Sequence, residues 1–384
     1  MITGISLLML ALLVSPHQAA SPGQNPGSKQ SKPAHAGQKT RSFEEVAKAA
    51  NEAREADRDD DAIKLYQEGL KLRPEWQEGL WYLSTLLYQK ERFADSRDLL
   101  RRFVTLEPKT GPGWALLGMS EYQTRDYSRA LDHLKHAMRN GWEGRKELAQ
   151  SVFYFVSVLL TRFEQYDDSM TMLFAMMKSG EQPDLIVEPT GLAALHLPLL
   201  PSEVPPDRRE LIGMAGQGAL SIEHHNQAET ERLFGAMVAS YPNEPGVHFL
   251  YGAYLMDVRP EDGIREMRRE LEISPSHVGA RLRLAEEYIK EQKFEEALGL
   301  AEEAVKLAPE TAPAHMVLGE ALTGKGEAAR GLAELETARN QAPESARTHW
   351  DLLRAYTSAG RSADAKREKE EIEKLSRPES QQEP

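Results

Sequence analysis

Histidine is the residue of this chain best suited to metal binding or proton transfer, because the sequence contains no cysteine. His133 and His136 lie one turn apart on a predicted helix, and His224 and His225 are adjacent at a predicted turn. A zinc-type site needs further ligands, and no carboxylate or cysteine companion is obvious beside His133 and His136. We therefore predict neither a metal site nor a bound cofactor.

Motifs that would indicate catalysis are missing from the sequence. It contains no Gly-x-Ser-x-Gly and no His-Glu-x-x-His pattern. The glycine-rich stretch 324–326 follows no predicted strand, so we interpret it as a turn between helices and not as a phosphate-binding loop. The lack of cysteine also excludes thiol catalysis and disulfides. We predict that the protein is not an enzyme.

Composition points to a folded, helical and acidic protein. Apolar residues make up 40% of the chain and charged residues 28%, which is enough apolar content for most of it to fold. Runs of β-branched residues with period-two alternation are hard to find, so we expect essentially no sheet. The net charge of −13 would repel phosphate backbones and anionic lipid headgroups. Nucleic acid and membrane surfaces are therefore not expected as partners.

Prolines recur at a nearly constant interval along the chain. They stand at Pro74, Pro108, Pro242, Pro275, Pro309 and Pro343, and the intervals between them are 34, 134, 33, 34 and 34. Most of them end a similar apolar phrase, such as LKLRP or VKLAP. A fixed period of this length indicates a repeat architecture, in which stacked units bury a shared core.

Each repeat resembles the tetratricopeptide repeat (TPR), a pair of helices with small residues where the two helices cross. The best copy spans 111–144 and contains the pattern residues Trp114, Leu117, Gly118, Tyr122, Ala130, Leu134 and Ala137. The other copies span 43–76, 77–110, 150–183 (a weak match), 211–244, 245–277, 278–311, 312–345 and 346–376. The resemblance implies an all-α, right-handed superhelical solenoid of about eight to nine helix-turn-helix repeats. His248, His315 and His349 recur at the position that Trp114 holds in the best copy, which favours packing over metal binding.

The period breaks once, between Pro108 and Pro242. Three periods of 34 give 102, whereas the interval is 134, and the excess of 32 falls mostly within 184–210. We expect a short helix near 191–197 and an extended LPSEVPP stretch, because six prolines crowd this region. The chain then divides into an N-terminal TPR block (42–183), a Pro-rich junction or decayed repeat (184–207) and a C-terminal TPR block (208–376). The junction is either a rigid spacer or a binding loop.

The two ends of the chain differ from the repeats. The apolar run at 5–14 is too short to span a bilayer and is typical of a secretory signal peptide, with Ala19, Ala20 and Ser21 as the cleavage zone. We assign 1–20 to the signal peptide, 21–41 to a disordered linker and 377–384 to a disordered tail. The protein is expected to be exported, periplasmic or secreted, with no membrane insertion after cleavage.

The TPR resemblance also implies a binding site, because first helices in this family line a concave groove that binds peptides. The first-helix positions that match the groove are Trp81, Thr85, Tyr88, Met119, Tyr122, Tyr154, Phe249, Met256, Glu286, Lys290, Met316, Trp350 and Arg354. The paired Lys and Asn that clamp a C-terminal carboxylate in one TPR subtype are missing, so a receptor for chaperone tails is disfavoured. We expect a scaffold or adaptor for a protein or peptide partner. The alternative is an envelope structural or assembly factor that acts through self-association.

Overall fold

The computed structural model describes residues 41–142, 144–178 and 183–376. The predicted signal peptide, the linker up to residue 40 and the tail lie outside the described residues. Within the described ranges the regular structure is helical and no strand occurs. The chain divides into two compact units, one ending at Asp207 (unit 1) and one beginning at Arg208 (unit 2).

Unit 1 contains four helix pairs and one further helix. Its helices are α1 (Phe43–Glu55), α2 (Asp59–Leu72), α3 (Gln77–Gln89), α4 (Phe93–Leu106), α5 (Gly111–Gln123), α6 (Tyr127–Asn140), α7 (Lys146–Arg162), α8 (Tyr166–Lys178) and α9 (Pro183–Ala194). Each helix packs against the next along the chain.

Unit 2 contains five helix pairs. Its helices are α10 (Arg209–Glu223), α11 (Gln227–Ser240), α12 (Val247–Val258), α13 (Pro260–Ile273), α14 (Val278–Lys290), α15 (Phe294–Leu307), α16 (Ala312–Lys325), α17 (Ala328–Gln341), α18 (Ala346–Ser358) and α19 (Ser362–Leu375). The nine helix pairs among the described residues confirm the predicted all-α repeat fold and its count of eight to nine repeats.

The turn between the two helices of a pair recurs with the same period as the prolines. Asp57, Glu91 and Arg125 are equivalent positions of three successive repeats and have φ values of 53°, 57° and 63°. This left-handed conformation lets the chain reverse in a short turn, and it is costly for side chains other than glycine. Gly326 takes the same role at the end of α16, with φ of 95°, so the 324–326 stretch is a helix turn as predicted.

Small residues let the helices of a pair approach closely, as the sequence pattern predicted. A methyl group built on Gly319 of α16 would lie 2.7 Å from Leu335 Cγ and 2.9 Å from the Gly331 carbonyl oxygen of α17. Gly118 has the same relation to Leu134 and Ala130 in unit 1. The close crossing therefore leaves no room for a side chain at these two positions.

The structure corrects two expectations for the Pro-rich region. The helix there is α9, which begins at Pro183, earlier than the predicted 191–197, and contains Pro189. The LPSEVPP stretch is not extended throughout, since two 3₁₀ turns, Pro201–Glu203 and Pro206–Arg208, flank the extended Val204. Proline permits both outcomes because its fixed φ near −65° suits a first helical turn and a 3₁₀ turn as well as extended chain.

Helix α9 lies where the first helix of a further repeat would begin, but no second α-helix follows it among the described residues of unit 1. It packs against α8 and α7, the preceding pair, and the next helix of the chain belongs to unit 2. Both interpretations of the region, a decayed repeat and an insertion, stay predictions.

Candidate partner-binding site

The structure separates the thirteen predicted groove residues by exposure. Six are buried by neighbouring helices: Thr85, Tyr88, Met119, Tyr154, Met256 and Met316. Four are partly buried: Trp81, Tyr122, Phe249 and Glu286. Lys290, Trp350 and Arg354 are exposed. Burial leaves little of the six buried side chains exposed, although Tyr154 still lines a pocket. A binding role for the thirteen residues stays a prediction.

A preformed pocket of about 500 Å³ in unit 1 brings two of these residues together. Tyr122 of α5 and Tyr154 of α7 line it with Tyr127, Phe155 and the chain segment 200–203. The ring centroid of Phe155 lies 4.7 Å from that of Tyr122 and 5.6 Å from that of Tyr154. Burial raises the pKa of Tyr154 from its ordinary 10.0 to about 12. At either value the hydroxyl is protonated at neutral pH and can donate a hydrogen bond.

One wall of the pocket is the Pro-rich segment that follows α9. Arg162, at the end of α7, donates a hydrogen bond of 2.6 Å to the Pro198 carbonyl and lies 3.8 Å from Glu203. Leu200 is 2% exposed, and its backbone N–H donates to Glu203 at 3.0 Å. The junction that the sequence left as a spacer or a binding loop thus forms part of a pocket with first-helix residues. The sequence alone gave no sign of this contact, because two full helix pairs and α9 separate the segment from the start of α5.

A second group of first-helix residues meets in unit 2. Arg347 of α18 donates to Glu286 of α14 at 2.8 Å and lies 3.5 Å from Glu320 of α16. This ion pair joins helices that are two repeats apart. Arg354 pairs with Asp351 one turn below it. Glu286 and Arg354 were predicted from the sequence and Glu320 was not, although the three are equivalent positions of successive repeats and the period itself would have found it.

Burial perturbs the carboxyl group of Glu320 in this cluster. It raises the pKa of Glu320 to about 7, with the nearby Asp351 carboxylate adding to the effect and Arg347 opposing it. Trp350, beside Asp351 in sequence, leaves 53% of its surface exposed. Large exposed aromatic residues are typical of protein interfaces.

The recurring histidines act in packing, as predicted. In His315 and His349, Nδ1 lies 2.6 Å from a glutamate of the second helix, and Nε2 lies 2.8 Å from the carbonyl of the repeat-ending proline. His248 has the same two partners, Glu266 and the Pro242 carbonyl. The Trp114 indole N–H makes the equivalent bond to the Pro108 carbonyl at 2.8 Å.

His133 has a carboxylate partner that was not apparent from the sequence. Its Nδ1 lies 2.6 Å from Glu121, a fully buried residue that also pairs with Arg101 at 2.9 Å. Among the described residues no group of three or more His, Cys, Asp or Glu side chains is arranged to hold a metal ion. None of the described helices combines the length and the apolar character needed to cross a membrane.

Comparison with known proteins agrees with the helix pairs. The tetratricopeptide-repeat family model matches residues 47–113, in unit 1, and 282–338, in unit 2. With the regular period and the close helix crossings, these matches identify the chain as a tetratricopeptide-repeat protein.

Similar solved structures include two MamA chains. The MamA RS-1 ArsTM double mutant is 19% identical, with a TM-score of 0.39, and the match covers 43% of this chain and 94% of that one. MamA 41-end from Desulfovibrio magneticus RS-1 is 21% identical, with a TM-score of 0.38, and covers 46% and 98%.

A curated relative is the general transcriptional corepressor trfA of Dictyostelium discoideum. It is 24% identical over 119 residues, or 31% of this chain. The chain spans only 8% of the length of that relative.

Proposed function

We propose that this protein is a non-catalytic scaffold or adaptor that binds a segment of a protein partner on the first-helix surfaces of its repeats. The preformed aromatic pocket of unit 1 carries the proposal, because ligand sites are concave, largely preformed and rich in apolar and aromatic side chains. The exposed Trp350 supports a second contact in unit 2.

Site-specific photocrosslinking tests the proposal. A benzophenone amino acid at Tyr122 or Trp350 is expected to capture one discrete partner, which mass spectrometry identifies and which then binds the purified protein. The matched controls are Lys64 and Lys306, exposed residues of the second helices α2 and α15. Equal capture at the control positions, or no capture at any position, would contradict the proposed surfaces.

Self-association is the alternative outcome of the same experiment. Crosslinks between two copies of the chain, together with a concentration-dependent mass in light scattering, would favour an assembly factor over an adaptor. A monomeric mass at high concentration would exclude that alternative.

We further propose that the protein acts outside the cytoplasm. The support is the apolar run at 5–14, followed by the small residues at 19–21. Mass spectrometry of the protein from its native cells is expected to find a first residue at or just after this zone, in a fraction outside the cytoplasm. An intact Met1 in a cytoplasmic fraction would contradict export.

A further inference from the structure

We propose that the pocket bounded by Tyr122, Phe155 and Leu200 binds an extended apolar peptide segment that carries a carboxylate, with Arg125 as the cationic contact. This inference rests on the proposed function and adds the chemistry of the ligand.

The size and walls of the pocket favour an apolar anchor. A volume of about 500 Å³ accommodates a few apolar groups but no folded element. Tyr122, Tyr127, Tyr154 and Phe155 surround it with aromatic rings. Aromatic walls are suited to proline and to flat or aliphatic side chains of a peptide. A proline-containing peptide is already extended before it binds, so it loses little conformational entropy in such a pocket.

The charges of the pocket favour a carboxylate. Its two charged lining residues are Arg125 and Glu203. Glu203 already accepts the Leu200 N–H and lies near Arg162, whereas Arg125 is exposed and makes no ion pair with any residue that the structure describes. Tyr122 and Tyr154 also line the pocket, and a phenol hydroxyl is a hydrogen-bond donor at neutral pH. The unused polar capacity is therefore cationic and donating, which complements an anion.

The wall of the pocket is itself a leucine-proline segment with a carboxylate beside an arginine. The chain from Pro198 to Glu203 places a buried leucine, then a proline, and then a carboxylate 3.8 Å from Arg162. A partner segment of the same type would place its apolar residue between the rings and its carboxylate on Arg125.

Binding of short peptides to the full chain tests this inference. Fluorescein-labelled heptapeptides contain Phe-Pro or Leu-Pro followed two residues later by Glu, Gln or Lys, and fluorescence polarisation reports binding. We expect the Glu peptides to bind about ten-fold more tightly than the Lys peptides. The reason is that exposed Arg125 attracts the Glu side chain and repels the Lys side chain. Arg125→Glu is expected to reverse the order, and Lys64→Glu, on the exposed surface of α2, is expected to leave it unchanged.

The substitution at Arg125 is compatible with the fold. Glu91 and Glu164 occupy the matching left-handed turn position in other pairs of unit 1, with φ of 57° and 61°. A thermal melt of Arg125→Glu should therefore match that of the wild type, so that a change in binding reports the charge.

The remaining outcomes separate the two proposals. If no Glu peptide binds the wild type at about 1 mM, or if Arg125→Glu leaves the order unchanged, the carboxylate assignment is wrong. The proposed function stands in that case as long as crosslinking at Tyr122 or Trp350 still captures a partner. The lack of any capture would remove the proposed function itself.

Discussion

At the scale of single residues, folding shifts the pKa of the Glu320 carboxyl group, which lies in the charged cluster of unit 2 around Arg347. Its carboxyl group is partly buried and lies near the Asp351 carboxylate, so the protonated form is favoured. The folded protein therefore holds a proton on Glu320 at a pH where the unfolded chain has released it.

Stability should consequently fall as pH rises through this window. Below the ordinary value of 4.5 both states are protonated, and between 4.5 and about 7 only the folded state binds the proton, so each pH step in this range lowers the free energy of unfolding. Glu320→Gln cannot ionise, so it is expected to become more stable than the wild type by roughly 1–3 kcal/mol between pH 5 and pH 8. Urea unfolding at several pH values measures the difference. Glu310→Gln, at an exposed position of unit 2, serves as the control, and a parallel pH profile for the two variants would contradict the prediction.

His349 is a second residue with a testable role. Its ring joins the buried Glu368 of its own repeat to the Pro343 carbonyl that ends the preceding repeat. His349→Ala removes both hydrogen bonds and leaves the Glu368 carboxylate with one fewer partner. We expect a loss of roughly 2–4 kcal/mol in chemical unfolding at neutral pH. His224→Ala, at an exposed turn of the same unit, should change the stability by less than about 0.5 kcal/mol. Similar losses for the two variants would show that the bridging bonds contribute little.

At the scale of the helix pair, two glycines of unit 2 predict opposite effects of one substitution. Gly319→Ala would place a methyl group 2.7 Å from Leu335 Cγ, so the α16–α17 pair must separate. Gly299, within α15, has no atom within 4 Å of the same methyl group. We expect Gly319→Ala to cost about 1–3 kcal/mol and Gly299→Ala to add up to about 1 kcal/mol, since alanine favours a helix over glycine. Circular-dichroism melts of both variants decide this, and a stabilising Gly319→Ala would refute the close crossing.

At the scale of the whole molecule, stability in each unit should be shared between neighbouring repeats, because no single pair can bury its apolar face alone. Leu284 of α14 is buried in a cluster that includes Met267, Ala301 and Val317, which belong to α13, α15 and α16. Leu284→Ala is therefore expected to cost about 2–5 kcal/mol and to reduce amide protection in all four helices. Hydrogen exchange followed by mass spectrometry locates the loss.

The control for that experiment is Leu307→Ala, since Leu307 is an exposed leucine at the end of α15. It should leave both the stability and the exchange pattern nearly unchanged. A loss of protection confined to α14 in the Leu284 variant would contradict shared stability.

Much of the fold could be predicted from the chain, because its determinants are local and repeated. A proline that recurs once per repeat ends a helix wherever it occurs, and small residues at fixed offsets are needed wherever two helices cross. Local determinants were not sufficient between 183 and 208, where six prolines allowed helix, 3₁₀ turn or extended chain. In the first part of this region, the packing of α9 against α7 and α8 supports the helical conformation.

The candidate site likewise has features that the sequence predicted and features that only the tertiary structure decided. The periodic pattern by itself placed Tyr122, Glu286 and Trp350 on first helices, because a residue and its repeat equivalent share one face of the array. Only the tertiary structure decided that Tyr154 is largely buried, that segment 200–203 closes a pocket with Tyr122, and that Arg347 reaches Glu286. The last two relations join residues that are far apart in the chain, and burial and charge pairing over such separations depend on which helices pack together. The local sequence specifies each helix, but the burial and the charge environment of a side chain depend on the neighbours that tertiary packing brings into contact with it.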